Sequence, residues 1–347
     1  MSLIVSWSCS WLVVLWVLLA NCSFAAAFEP ADPPEFAPWL QPQAWERDTE
    51  GPIVELGEQD AFDDMHVFAP CVALEEGQYR MWYCGSQGKV AKRVFRLGLA
   101  TSKDGRTFEK HPTNPIFEFG DGESSILTPT LLRNADGSVL REDGKLRMWF
   151  SASHLFGKSV HNLHETQSRD GIQWSPPSDP QLSGVYAPTI LKVGDIYQMW
   201  YTDVSAEPWK IRHAQSSNGQ EWKETKEAVL RIGQKWEQGR LFYPTVIKSG
   251  DLYLMWYGSY WSAFEGKTAI GFAVSSDGIN WEKNPHNPVF RPDPSREWES
   301  HYTTSQSIRK LPDGSWRMWY ASRQKPPFRH KYFAIGTARW QGIAPTQ

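Results

Sequence analysis

The chain has 347 residues and a formal net charge of −3, from 36 Lys and Arg against 39 Asp and Glu. No basic run could track a phosphate backbone, so no nucleic-acid partner is expected. Length allows either two average domains or one large all-β ring, and the 19 Trp, 12 Tyr and 17 Phe exceed what an ordinary core uses, pointing to many stacked sheets or a groove lined with flat rings.

Residues 1–27 carry no charged side chain and hold the apolar run Trp11 to Ala20, followed by Ala25-Ala26-Ala27, which has the small-x-small form of a signal-peptidase site. Export to a secreted or periplasmic location is the expectation. A lipoprotein reading on Leu19-Ala20-Asn21-Cys22 ranks second, because Asn suits the position before the Cys poorly. The run is short for a membrane span, and no integral span is expected in the mature chain. Residues 28–44 read as an N-terminal extension, 45–340 as the repeat domain and 341–347 as a tail. Cleavage leaves Cys71 and Cys84, which a hairpin would place diagonally on one face; a disulfide and two buried thiols both remain open.

The triplet Met-Trp-aromatic occurs five times, at Met81-Trp82-Tyr83, Met148-Trp149-Phe150, Met199-Trp200-Tyr201, Met255-Trp256-Tyr257 and Met318-Trp319-Tyr320. Upstream of four copies runs an apolar stretch with a Pro, at Pro70, Pro129, Pro188 and Pro244, and each pair predicts a hairpin. Downstream of the first four comes an Asp-Gly or Asn-Gly turn, at Gly105, Gly171, Gly219 and Gly278, followed by an aromatic residue. Each unit therefore reads as four strands, one blade of a β-propeller. The fifth unit lacks its Asp-Gly turn and last strand, and Trp45-Glu46-Arg47 at the other end resembles Trp281-Glu282-Lys283 and Phe108-Glu109-Lys110. The fold class expected is thus all-β: a five-bladed propeller closed by an N-terminal strand that completes the last blade. The triplet Trp side chains are expected as core packing, and the turn Asp residues as turn chemistry.

Residues just before each first strand should converge at the mouth of the channel. Counting back gives Asp63, Asp64 and His66, then Glu123, then Glu237 and Arg240, then Glu299 and His301; the third blade offers Tyr186 and no acid. Carboxyl groups facing across a funnel could protonate a glycosidic oxygen and activate water, with aromatic rings stacking on the sugar. A sugar-binding protein would use the same groups without catalysis.

At these residues the chain resembles the five-bladed glycoside hydrolase superfamily that includes the arabinanase-like family 43 and the invertase- and levanase-like family 32. The resemblance covers about residues 45–340. It implies an Asp at the start of the first blade, matched by Asp64 or Asp63 in Phe62-Asp63-Asp64-Met65-His66. It also implies a Glu acid, matched by Glu237 in Trp236-Glu237-Gln238-Gly239, and a channel His, matched by His301. The family's mid-chain Asp has no counterpart before Tyr186, where Glu123 or Asp203 would stand in. The function expected is that of an exported glycoside hydrolase acting on a poly- or oligosaccharide, with Asp64 as base or nucleophile, Glu237 as general acid and Glu123 tuning them. Asp63, His66, Tyr186, Arg240, Tyr243, Glu299 and His301 would hold the substrate. No cofactor and no catalytic metal are required, and a structural calcium in the channel is left open. The alternatives are a non-catalytic carbohydrate-binding propeller and a glycoside phosphorylase, whose phosphate would need Arg240, His301 and Arg93.

Overall fold

Each apolar stretch with its Pro forms a strand that pairs back to back with the Met-Trp strand after it. In a computed structural model, which describes residues 33–155, 160–326 and 333–343, β1 (Glu46–Arg47) precedes a first antiparallel set of β2 (His66–Glu75), β3 (Gln78–Ser86), β4 (Arg96–Ser102) and β5 (Glu109–Lys110). The second set begins with β6 (Ser124–Leu131). After the short strands β7 (Arg133–Asn134) and β8 (Arg141–Glu142) it continues through β9 (Lys145–His154), β10 (Asn162–Ser168) and β11 (Leu182–Ser183). The third comprises β12 (Val185–Val193), β13 (Ile196–Asp203), β14 (Lys210–Ser216) and β15 (Lys223–Glu224). The fourth comprises β16 (Gln238–Ser249), β17 (Leu252–Ser262), β18 (Lys267–Ser275) and β19 (Glu282–Lys283). The last run is β20 (Tyr302–Lys310), β21 (Trp316–Arg323) and β22 (Ala334–Trp340), to which β1 adds with Glu46 opposite Arg339 and Arg47 opposite Ala338. One parallel bridge, Thr268 to Tyr302, joins the fourth and last runs into a single eight-stranded sheet. The expected signal sequence and lipoprotein Cys22 lie outside the described residues. Among the described residues no helix is long and apolar enough to cross a membrane.

The first strands share one irregularity. Register slips between Phe68 and Cys71, Leu127 and Thr130, Tyr186 and Thr189, Phe242 and Thr245, and Thr304 and Ser307. At each slip a non-glycine residue holds a positive φ, 45° to 53° at Ala69, Thr128, Ala187, Tyr243 and Ser305. These are β-bulges, which bend a strand and interrupt its ladder. In four strands the residue after the bulged one is the Pro of the repeat, which has no N–H to lose. The bulges pack against one another: β2 touches β6 and β20, β6 touches β12, β12 touches β16, and β16 touches β20. They leave an innermost cavity of only about 60 Å³.

The triplet Trp side chains are buried, as expected, and each has a polar task as well. The indole N–H of Trp82 donates to the carbonyl of Gly171 (2.9 Å), Trp149 to Gly219 (3.1 Å), Trp200 to Gly278 (2.7 Å) and Trp319 to Gly105 (2.8 Å). Every one of these acceptors is the glycine of the Asp-Gly or Asn-Gly turn in the neighbouring set. The turn glycines need positive φ, +74° at Gly171, and a Cβ there would lie 2.8 Å from Cζ2 of Trp82. Where the last set has no such turn, Trp256 donates instead to Oε1 of Gln43 at 3.0 Å. Residues before Trp45, expected as an extension, are therefore part of the core: Phe36 and Leu40 join Trp45, Trp256, Trp316 and Trp340 in one buried cluster. Cys71 and Cys84 are both buried free thiols.

Candidate functional site

The strand ends nearest residues 66, 125, 186, 243 and 302 surround a cavity of about 650 Å³. Side chains alternate along a strand, so His66 and Phe68 from β2, Ser125 and Leu127 from β6, and Tyr302 and Thr304 from β20 face it, with Tyr186 from β12 and Tyr243 from β16. The Tyr186 and Tyr243 hydroxyls hydrogen-bond each other, with their rings 5.2 Å apart. The rest of the wall comes from the ends of the second strands, at His154 and Arg323, and from the connections after them, with Arg93 and Phe95, His161, Trp209 and Phe333.

Charge in this wall is cationic. The Arg323 guanidinium lies 4.5 Å from the Tyr302 ring centroid and 5.3 Å from that of Phe333. Burial, followed by the charges of Arg93 and Arg323, pushes the His66 imidazole down to about 3, and burial alone pushes His161 down to about 4. Both rings are neutral at pH 7, and Nδ1 of His66 lies 2.8 Å from Oγ of Ser86. No Asp or Glu is among the described residues lining the cavity.

The acids singled out from the sequence lie elsewhere, and three of them do the same structural work. Asp63 accepts from the Tyr83 hydroxyl (2.9 Å) and from Lys110 Nζ (2.6 Å). Glu237 accepts from the Tyr257 hydroxyl (2.7 Å), Lys283 Nζ (2.6 Å) and the backbone N–H groups of Gly233 and Gln234. Glu299 accepts from the Tyr320 hydroxyl (2.6 Å) and pairs with Arg47 (2.8 Å) and Arg296. In each set a buried carboxylate ahead of the first strand binds the tyrosine of the Met-Trp-Tyr triplet and the basic residue of the last strand, so all three are turned onto the blade face. The second set has Phe150 in place of that tyrosine, and Glu123 is exposed, paired with Nε2 of His154 at 2.9 Å.

Asp64 accepts from the backbone N–H groups of Asp60 and Gly88 and faces a second cavity of about 700 Å³, which shares Arg323 and Phe333 with the first. The structure therefore does not bring Asp64, Glu123 and Glu237 to one cavity: Glu237 is saturated inside its clasp, and Glu123 reaches the mouth only through His154. Asp203, the other candidate acid, is buried beside Lys210 and Arg212. Of the residues expected to hold substrate, His66, Tyr186 and Tyr243 line the mouth. Arg240 stands behind it, paired with Glu207 and lying 4.1 Å from the centroid of the Trp209 ring, which it props. His301 is buried and lies outside the lining.

Counting back from the first strands could find only half the wall. Arg323 ends the strand that carries a Met-Trp triplet, and His154 ends another. Arg93, His161 and Trp209 sit in connections of unequal length, with no repeat to mark them. The described residues lining the innermost cavity include hydroxyl side chains and Arg133, and no Asp or Glu is among them. Among the described residues no group of three or more His, Cys, Asp or Glu side chains is placed to hold a metal.

No family model matches the chain. Two curated proteins of Mycobacterium tuberculosis, "Uncharacterized protein MT1551" and "Uncharacterized protein Rv1502", are each 23% identical over 239 residues, covering 64% of this chain and 76% of their own. Among solved structures, one described as "Glycoside hydrolase" superposes with a TM-score of 0.71 at 15% identity, covering 90% of this chain and 96% of its own. A second comes from work titled "The GH130 family of mannoside phosphorylases contains glycoside hydrolases that target beta-1,2 mannosidic linkages in Candida mannan" (TM-score 0.65, 17% identity, 88% and 96% covered). The catalytic domain of the Coprinopsis cinerea GH62 alpha-L-arabinofuranosidase gives 0.62 at 10% identity, with 86% and 97% covered. At these identities the likeness is one of fold, and the chain has the nearly all-β fold of the propeller glycoside hydrolases.

Proposed function

We propose that the protein is an exported, five-bladed propeller that binds a poly- or oligosaccharide in the 650 Å³ mouth cavity. The observation that carries this reading is the wall itself: Tyr186, Trp209, Tyr243 and Tyr302, from three consecutive strand sets, stand around one polar cavity. Flat rings stack on the apolar faces of sugars, while a few placed polar groups fix orientation. The cycle of contacts among first strands, and the pairing of β1 with β22, support the five-bladed closed ring. Fold alone does not assign chemistry, so the fold of the hydrolases adds plausibility to a carbohydrate ligand and nothing finer.

Glycoside hydrolysis is the second reading, and Asp64 and Glu123 are the acids that remain for it, one facing the adjoining cavity and one behind His154. Phosphorolysis is supported by one observation, the presence of Arg93 and Arg323 in the wall, which could hold a phosphate. Incubation with a panel of plant, algal and microbial oligosaccharides, with and without inorganic phosphate, separates the readings. A binding protein gives saturable binding and no products. A hydrolase releases reducing ends without phosphate and loses that release in Asp64→Asn. A phosphorylase forms a sugar 1-phosphate only when phosphate is present. Absence of binding to every carbohydrate would remove all three.

A further inference from the structure

We infer that the carbohydrate taken by the mouth cavity is acidic, a sugar bearing a carboxylate, sulfate or phosphate ester whose oxyanion docks on Arg93 and Arg323. This rests on the carbohydrate reading above and narrows it. Arg93 comes from the connection after β3 and Arg323 from the end of β21, so two different strand sets bring a guanidinium to the same cavity. Both line the same cavity as His66, at the start of β2. The Arg323 guanidinium lies against the Tyr302 and Phe333 rings, and a guanidinium can bind an oxyanion in bidentate fashion.

Guanidinium N–H groups can donate to neutral hydroxyls, but their bonds to an oxyanion are charge-assisted and roughly twice as strong. Here the described wall carries no carboxylate. The hydrogen-bonding groups left for neutral hydroxyls are the tyrosines, Ser125, Thr304 and the neutral imidazoles, which complete a sugar site of ordinary type around an anion anchor.

The experiment is titration calorimetry of the exported chain with matched pairs: oligogalacturonides against their carboxyl-reduced forms, sulfated galactan oligosaccharides against their desulfated forms, and phosphorylated mannan oligosaccharides against dephosphorylated ones, with inorganic phosphate alone as a further ligand. At least one acidic member is expected to bind tenfold or more tightly than its neutral partner, with the preference eroding at high salt. Arg93→Gln and Arg323→Gln should each reduce the ratio of acidic to neutral affinity by about tenfold. Trp209→Ala should weaken acidic and neutral members alike. Arg93 is exposed, so its variant carries the test if removal of the stacked Arg323 lowers stability. Equal affinity within every pair, or no change in preference on replacing Arg93, overturns the inference while the carbohydrate reading stands. Neutral-sugar binding that tightens only when inorganic phosphate is added also overturns it, since the anion would then be a separate co-substrate. No binding to any sugar, acidic or neutral, removes the carbohydrate reading itself.

Discussion

Trp256 donates its indole N–H to Oε1 of Gln43 across 213 positions of sequence, at 3.0 Å. The same oxygen accepts from the Trp45 indole at 2.9 Å. One amide thus stands where the last strand set lacks the turn carbonyl that serves Trp82, Trp149, Trp200 and Trp319 elsewhere.

Replacing Gln43 with Leu should leave two buried indole N–H groups without an acceptor and cost about 2–4 kcal/mol. Urea unfolding of Gln43→Leu against the exposed control Gln41→Ala measures it. A loss no larger than the control's would mean that the segment before Trp45 contributes little to the core.

Breaking a clasp should be costlier than neutralising it. Lys283→Met leaves the buried Glu237 carboxylate without its cation and should destabilise by about 3–5 kcal/mol. Glu237→Gln keeps the shape and removes the charge, and should cost less. Carbohydrate binding in Glu237→Gln should match the parent protein, because the clasp lies outside the cavity. Loss of binding in a folded Glu237→Gln would return Glu237 to the site.

Arg240 should act on binding through Trp209. A cation over an aromatic ring contributes roughly 0.5–1 kcal/mol at an exposed site, so Arg240→Ala should weaken sugar affinity by about two- to fivefold, less than Trp209→Ala. In the double variant Trp209→Ala, Arg240→Ala, the second change should add nothing to the first. Additive losses by calorimetry would show direct contact of Arg240 with the ligand.

Three imidazoles lower stability in acid: His66 and His213, which are buried, and His161, which is half-buried. Burial first, then neighbouring charge at His66, holds His66 at about 3, and burial holds His161 and His213 at about 4, against about 6.5 in the unfolded chain. Between those values the unfolded chain binds more protons, so stability is complete above pH 6.5 and falls as pH drops toward 4. Each imidazole contributes a slope of up to about 1.4 kcal/mol per pH unit. Urea unfolding at pH 7, 6 and 5 should show the decline, and His213→Gln should flatten it by one proton. A level profile over that range would contradict the neutral state of these rings.

Much of the fold was legible because it repeats. Five Met-Trp triplets marked the second strands, the stretches with a Pro marked four of the first strands though not their bulges, and Asp-Gly or Asn-Gly marked the turns, each a matter of local dihedral preference and two-residue alternation. The likeness of Trp45-Glu46-Arg47 to Trp281-Glu282-Lys283 even located the pairing of β1 with β22, since identical strand positions take identical neighbours.

The site was legible only in part. His66, Tyr186 and Tyr243 were found because they occupy fixed offsets on repeating strands. Asp63, Glu237 and Glu299 occupy offsets just as regular, yet their carboxylates turn away from the mouth, drawn by Lys110, Lys283 and Arg47 on strands that lie 46 or more residues away in sequence. Which way a carboxylate points is settled by the cation that assembly brings beside it. Arg93, His161, Trp209 and Arg323 meet only because separate strand sets end at one cavity, and no local pattern encodes that meeting. Sequence by itself determined strands, turns and the partner of the N-terminal strand, all governed by short-range geometry. The cationic, ring-walled character of the mouth was decided by tertiary structure, which alone sets the distances between charges held on different sets.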